Sequence, residues 1–181
     1  MVTDEELIER WRAGDEEASG LLLARYDTPL HRFFANKVGV DTDDLVQRTV
    51  LACLEGSHRF VGRGSFRSFL FGIAYNVLRK HFERSHRSSI EFDVESVVDL
   101  GASPSTMLAR GREHELMLQA LRLVPVDYQV VLELYYWEDM KQREIAGVLE
   151  VPEATVRTRI RRGKERLKTL MAELGASSSS G

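Results

Sequence analysis

The sequence predicts an all-α protein of two small helical domains joined by a flexible acidic linker, the C-terminal one containing a helix-turn-helix. Three observations lead there. Apolar residues recur at intervals of three and four through nearly every segment before Arg84, and no stretch reads convincingly as a strand. The periodicity lapses from about Ser85 to Ser105, where SHRSSIEFDVESVVDLGASPS is rich in serine and acid. It returns at Met107 and ends in two helical patterns that meet at Val151-Pro152. The expected boundaries are a first domain over 1–86, a linker over 87–106, a second domain over 107–174 and a disordered tail over 175–181.

Each element has its own reason. Leu7, Ile8 and Trp11 share one face of a short first helix. Leu22, Leu23, Tyr26, Leu30, Phe33 and Phe34 continue an apolar stripe, which Pro29 should kink or restart with Thr28 as a cap. Asp41 to Asp44 supply acidic capping material for a helix whose core face carries Val46, Thr49, Val50 and Cys53. Gly62 to Ser65 form a loop ending in a cap, followed by Phe66, Phe69, Leu70, Ile73, Ala74 and Val77 at helical spacing. In the second domain, Leu116, Leu118, Leu121 and Leu123 precede a break at Val124-Pro125, and Val130, Val131, Leu134 and Tyr135 follow. A linker of about twenty residues is longer than a compact loop.

Composition narrows the function. At 43% hydrophobic and 29% charged, the 181 residues suit a soluble globular chain. No apolar run approaches the ~20 residues of a membrane span, so no membrane insertion is expected. The N-terminal MVTDEELIERW lacks an apolar signal core, which places the chain in the cytoplasm. The single cysteine, Cys53, excludes an internal disulfide framework and reads as a core residue. The five histidines show no paired metal-ligand spacing, and the acids show no catalytic spacing. No metal, cofactor or catalytic residue is therefore expected.

A net charge of −3 hides a strong alternation. Residues 1–58 carry 6 basic and 12 acidic side chains, and residues 59–88 carry 7 and 1. Residues 89–140 carry 3 and 10, whereas residues 141–170 carry 9 and 4. Phosphate binding follows local positive density, so two basic blocks can make two nucleic-acid contacts in a mildly acidic protein.

The C-terminal block carries the sharper signal. Glu144, Ile145, Ala146, Val148 and Leu149 form a short helix that ends at Val151-Pro152, with Pro152 placed as first residue of the next helix. There Val156, Ile160, Gly163 and Leu167 mark one buried stripe. Ala154, Arg157, Thr158 and Arg161 occupy another face, flanked by Arg159 and Arg162. Such a face enters a DNA major groove, where arginine pairs bidentately with guanine. Glu153, Thr155, Arg157, Thr158, Arg161 and Arg162 are the candidate duplex contacts. The first block, HRFVGRGSFRSFLFGIAYNVLRKHFER from His58, interleaves basic and aromatic side chains. Stacking is worth ~1–3 kcal/mol per base, so Tyr75, Asn76, Arg79 and Lys80 could hold single-stranded DNA.

Taken together these segments resemble a bacterial RNA polymerase sigma factor of the extracytoplasmic-function (ECF) subfamily. Asp44-Leu45-Val46-Gln47 is similar to the family's polymerase-docking signature, and Gly64 to Phe71 with Ile73 to Asn76 is similar to its promoter-melting segment. Leu121 to Pro125, Tyr135, Glu144 to Ala146 and Val151 to Arg159 resemble its second domain. The resemblance implies a non-catalytic, dissociable subunit that directs core RNA polymerase to promoters and helps open them. It implies core-polymerase contacts at Asp44, Leu45, Gln47 and Arg48, on the clamp helices, with the flap as a second polymerase surface. The −10 contacts would be Arg59, Arg63, Ser65, Tyr75, Asn76, Arg79 and Lys80, and the helix-turn-helix would read the −35 element as duplex. It further implies an anti-sigma factor as partner, and a linker that threads through the polymerase's RNA channel. Four positions depart from the family pattern: Arg48 stands for an acid, Glu150 and Ala154 for glycines, and Phe69 for a tryptophan. The alternative, a stand-alone helix-turn-helix regulator acting without replacing another sigma factor, leaves Asp44 to Arg84 without a purpose.

Overall fold

The computed structural model describes residues 2–57, 60, 64–88 and 112–178, and the regular elements among them are helices. Local chemistry sets most of their ends. Helix α1 (Asp4–Arg12) starts at Thr3, whose hydroxyl accepts from the Glu6 amide at 3.2 Å while Glu6 Oε2 accepts from the Thr3 amide at 2.7 Å. That reciprocal capping box satisfies two amides at once. Gly14, at φ +93°, turns the chain into α2 (Glu16–Arg25), where Asp15 accepts from the Ala18 amide at 3.1 Å. Helix α3 (Asp27–Val38) restarts after Tyr26, so Pro29 falls in a first turn where its missing N–H is tolerated. Thr28 thus lies inside the helix and is not its cap.

A 3₁₀ turn (Gly39–Asp41) leads into α4 (Thr42–Glu55). Asp41 makes no side-chain cap bond there, so the acids at this end act through their charge on the helix dipole. Helix α5 (Phe66–Ser88) continues through Ser88, past the expected loss of pattern at Ser85. Most of the expected linker, and the expected onset at Met107, lie outside the described residues. The second half contains α6 (Arg112–Arg122), α7 (Val126–Tyr136), α8 (Gln142–Leu149) and α9 (Glu153–Ser178). Gln129 Nε2 donates to the carbonyls of Val124 (2.6 Å) and Arg122 (3.2 Å), closing the end of α6 across the Pro125 turn. Helix α9 continues through Ser178, beyond the expected end of the domain. Leu170 is buried against Ala120 and Val124, with Leu167, Met171 and Leu174 packed alongside, which anchors the last turns.

In the first half Leu7, Leu22, Phe34, Leu45, Leu70 and Leu78 are fully or almost fully buried. Phe66 sits edge-on to Trp11, Tyr26 and Phe60, with ring centroids 6.3, 5.5 and 5.9 Å away. The buried stripe of α5 is rotated from the expected one: Phe71, Ala74 and Leu78 are buried, whereas Ile73 and Val77 are half-buried. The reason is that α5 packs on two sides, against α4 and against α8.

That double packing joins the halves. One apolar cluster runs without interruption from Phe33, Phe34 and Phe71 to Val130, Val131, Leu134, Met140 and Ile145. Inside the seam the Lys37 ammonium bonds Glu133, with both side chains cut off from solvent. Lys37 also donates to the Phe33 carbonyl at 2.5 Å, and Asn36 Nδ2 donates to Glu133 at 3.2 Å. Arg32 bonds the buried Glu138 carboxylate, and Arg67 donates to the Glu138 carbonyl at 2.5 Å. Desolvation pulls the Lys37 ammonium below its ordinary range and pushes the Glu133 carboxyl above its own, each opposed by the partner's charge.

Removing one partner of a buried pair strands the other, a loss of ~3–5 kcal/mol, whereas replacing both by apolar groups is neutral or stabilising. Glu133→Leu should therefore lower unfolding free energy by about 3–5 kcal/mol, and Lys37→Met with Glu133→Leu should recover it. Urea unfolding curves of both variants check this; equal losses in the two would show that no coupled pair exists.

Candidate functional site

Three solvent-facing surfaces carry the predicted residues, each shaped by what its helix buries. On α4 the inward positions are Leu45, Val46, Thr49 and Cys53. Leu45 is 0% exposed, so it supports the helix from below and presents nothing to a partner, contrary to its expected docking role. Rotation of about 100° per residue carries Asp44, Gln47 and Arg48 outward. Arg48 pairs with Asp44 one turn earlier at 2.8 Å, so the unusual cation is met within its own helix. The same stripe continues through Leu51 (58% exposed) and Leu54 (39%), two apolar side chains that sequence reasoning missed. Cys53, on the buried face, has its thiol pushed up to about 12 by desolvation.

On α5, Arg79 and Lys80 are exposed, and Tyr75 and Asn76 are half-buried. Arg79 reaches Glu83 at 3.8 Å, too loosely to consume its charge. Tyr75 leans toward the second half: burial raises its hydroxyl pKa first, then the Asp127 charge, with the Arg159 and Arg79 guanidiniums opposing. Ser65 is the N-cap of α5, its Oγ accepting from the Ser68 amide at 3.2 Å and approaching Glu144 at 3.3 Å. The residue itself is exposed, so the cap sits at the surface. Arg59 and Arg63 lie outside the described residues.

On α9 the expected division of faces is found. Val156, Ile160 and Gly163 are buried, and Gly163 allows α7 to approach so closely that a Cβ would stand 3.1 Å from Leu132 Cδ1. Arg157 (side chain 71% exposed), Thr158, Arg161 (63%) and Arg162 face solvent, with Glu153 beside them and Thr155 half-buried. Thr158 returns its hydroxyl proton to the Ala154 carbonyl at 3.0 Å, so its methyl is the group on offer. Gln142, Arg157, Ile160, Arg161, Lys164 and Glu165 line a shallow cleft of about 390 Å³, which adds Gln142 and Lys164 to the surface. Arg159 instead bonds Asp127 at 2.7 Å and faces the seam. Pro152 precedes the first helical residue, its carbonyl accepting from Thr155 at 2.9 Å. At the corner Glu150 is left-handed, φ 55° and ψ 41°.

Residues 23–88 match Sigma-70 region 2, and residues 114–167 match Sigma-70, region 4. The sigma factor HrpL of Pseudomonas syringae pv. syringae is 31% identical over 132 residues, 71% of this chain and 72% of that protein. The ECF RNA polymerase sigma-E factor of Escherichia coli (strain K12) is 24% identical over 176 residues, 91% of this chain and 92% of that one. Among solved structures, CnrH in complex with the cytosolic domain of CnrY superposes with a TM-score of 0.66 at 25% identity, covering 94% of this chain and 97% of that one. The sigma factor RpoE from Bartonella quintana, solved with the anti-sigma factor NepR, shares the fold with a TM-score of 0.70 at 20% identity, over 87% and 97%.

Two helical halves, each with an outward cationic surface, define a DNA-binding subunit of the transcription machinery. The chain belongs to the sigma-70 family, as an RNA polymerase sigma factor of the ECF type. It directs RNA polymerase to promoters.

The left-handed region costs a non-glycine residue ~1–2 kcal/mol, against ~0.5–1 kcal/mol of extra chain entropy for glycine. Glu150→Gly should thus stabilise the chain by about 0.5–1 kcal/mol. A thermal melt with an unchanged or lower midpoint would show that this corner is unstrained.

Proposed function

We propose that the three faces divide the work of a sigma factor. Residues 1–86 form the unit that docks on polymerase and opens the −10 element, and residues 107–174 form the unit that reads the −35 element. The outward stripe of α4, from Asp44 through Gln47 and Arg48 to Leu51 and Leu54, is the polymerase-docking face. Its support is the pairing of an exposed apolar patch with polar anchors, the composition of a protein interface and not of a DNA interface. Asn76, Arg79 and Lys80, with Tyr75 as a stacking surface, bind the opened −10 strand; Arg59 and Arg63 extend that surface by analogy. Arg157, Thr158, Arg161 and Arg162 read the −35 duplex, with Glu153, Thr155, Gln142 and Lys164 at its edges.

The observation that carries this reading is the separation of the faces. Exposed apolar side chains stand on α4 while exposed cations stand on α5 and α9, Arg161 among them pairing with Glu165 one turn on at 3.0 Å, so protein and DNA are met by different helices. The structural neighbours were solved with CnrY and with an anti-sigma factor. By analogy this chain is held inactive by an anti-sigma factor, with the core flap and clamp helices as its polymerase partners. No helix among the described residues is long and apolar enough to cross a membrane, which fits a cytoplasmic subunit.

Adding the chain to core polymerase should yield promoter-specific initiation without another sigma factor; initiation that still requires one would favour a stand-alone regulator. Leu51→Glu, an exposed site where folding is insensitive, should weaken core binding at least ~10-fold, about 1.4 kcal/mol, and leave −35 duplex binding unchanged. Undiminished recovery in a polymerase pull-down would remove α4 from the docking surface. Arg157→Ala should cost ~1–3 kcal/mol and relax one base preference. Equal loss on native and scrambled −35 duplexes in a titration would reduce Arg157 to a phosphate contact.

A further inference from the structure

The outward face of α9 is not uniformly basic. Arg157, Arg161 and Arg162 are exposed, and so are Ala154 and Thr158, which lie one turn apart on the same face. A surface that only held phosphates would gain from cations at both positions, since affinity for the DNA backbone grows with each charge it neutralises. Threonine is also a weaker helix former than lysine, arginine or glutamate, so an exposed helix loses a little stability by carrying it. Position 158 therefore calls for a role that neither charge nor helix formation supplies.

The hydrogen bonds around it narrow that role. The Thr158 hydroxyl donates its one proton to the Ala154 carbonyl at 3.0 Å, which leaves the γ-methyl for an outside contact. Arg157 and Arg161 flank it, and each has a carboxylate one turn further out. Glu153 lies 4.0 Å from Arg157 on the N-terminal side, and Glu165 accepts from Arg161 at 3.0 Å on the C-terminal side. The two acids thus draw the guanidiniums apart along the helix, away from Thr158. In the major groove the base pairs differ by their donors and acceptors, and thymine alone adds a methyl group. An apolar group between two arginines matches that edge and no other.

We propose that Thr158 is a specificity residue for thymine. Its γ-methyl meets the 5-methyl group of a thymine in the −35 duplex, and Arg157 and Arg161 read the neighbouring base pairs. This assignment rests on the −35 role given above to α9 and names the base that one of its side chains selects. Two further features suit it. Thr158 follows the first helical residue by five, about 7.5 Å along the axis, within the N-terminal part that a recognition helix brings to base edges. Ala154, one turn earlier, is too short to hold the base edge away. Thr169 also returns its hydroxyl one turn back, to the Glu165 carbonyl at 3.1 Å, but it sits three turns further along and serves as a control.

The test removes one methyl group from either side of the contact. The full chain with core polymerase selects its preferred −35 sequence from a library of random duplex DNA. Each thymine of that sequence is then replaced singly by deoxyuridine, which differs only in lacking the 5-methyl group. At one position this should weaken holoenzyme binding about three- to five-fold, the effect of returning one buried methyl group to water. Thr158→Ser, which keeps the hydroxyl and loses the methyl, should abolish the difference between thymine and uracil there. Thr158→Val, which keeps the methyl and loses the hydroxyl, should preserve it, as should Thr169→Ser. Each protein is compared with itself on two duplexes, so any change in folding cancels. Equal binding of thymine and uracil at every position by the wild type would overturn the assignment. A selected sequence without thymine, or a uracil penalty undiminished in Thr158→Ser, would overturn it too, and in all three cases the −35 role of α9 would stand. A selection that yields no preferred sequence would remove that role, and the thymine contact with it.

Discussion

An ammonium group deprived of water needs an anion, and Lys37 is placed so that its own helix cannot provide one. It sits in the last turn of α3, turned inward, with the Phe33 carbonyl and ring as its local neighbours. The carboxylate that answers it, Glu133, comes from α7, 96 residues further along the chain. Burial of either ion alone costs several kcal/mol, so the two helices must meet in one register. The other polar contacts across the seam follow from that register. Glu138 comes within reach of Arg32 and Arg67, and Glu144 within reach of Ser65 and Ser68. A slide by one helical turn, about 5.4 Å, would break all of them together.

Helix α5 is where this constraint meets function. A helix that only served region 2 would bury one stripe and offer the rest to DNA. Here the stripe is widened: α5 packs on α4 and on α8, and the flank that holds Tyr75 lies toward the second half. The helix therefore has one flank half-covered by protein, while Arg79 and Lys80 beside it stay exposed. Arg159 shows the same double use from the other side. It projects from the DNA-reading helix, yet its guanidinium is spent on Asp127 at 2.7 Å.

How far the sequence discloses this depends on the range of the interaction. Helices, caps and the buried stripe of α9 are local matters of spacing and end chemistry, and they are legible: Val156, Ile160 and Gly163 point inward as their spacing implies. Contiguity misleads at Leu45. The four residues of the docking signature are adjacent in sequence, but a helix turns its second member into the core. Leu51 and Leu54 lie off the core face that the spacing marks, and nothing in that spacing distinguishes an exposed leucine that forms part of a surface patch. Lys37 and Glu133 are illegible for a stronger reason. Each is an ordinary charged residue in an ordinary helix, and nothing within a local window distinguishes a solvated pair from one joined 96 residues apart.

The chemistry of the seam also bears on how tightly it can hold. Permanent interfaces resemble a domain core cut in half, with apolar groups that lose heavily on exposure. This seam has an apolar floor but is ringed by ions whose mutual attraction is largely offset by the water they give up. The ions discriminate sharply between one arrangement and its neighbours, while the apolar floor supplies the net attraction.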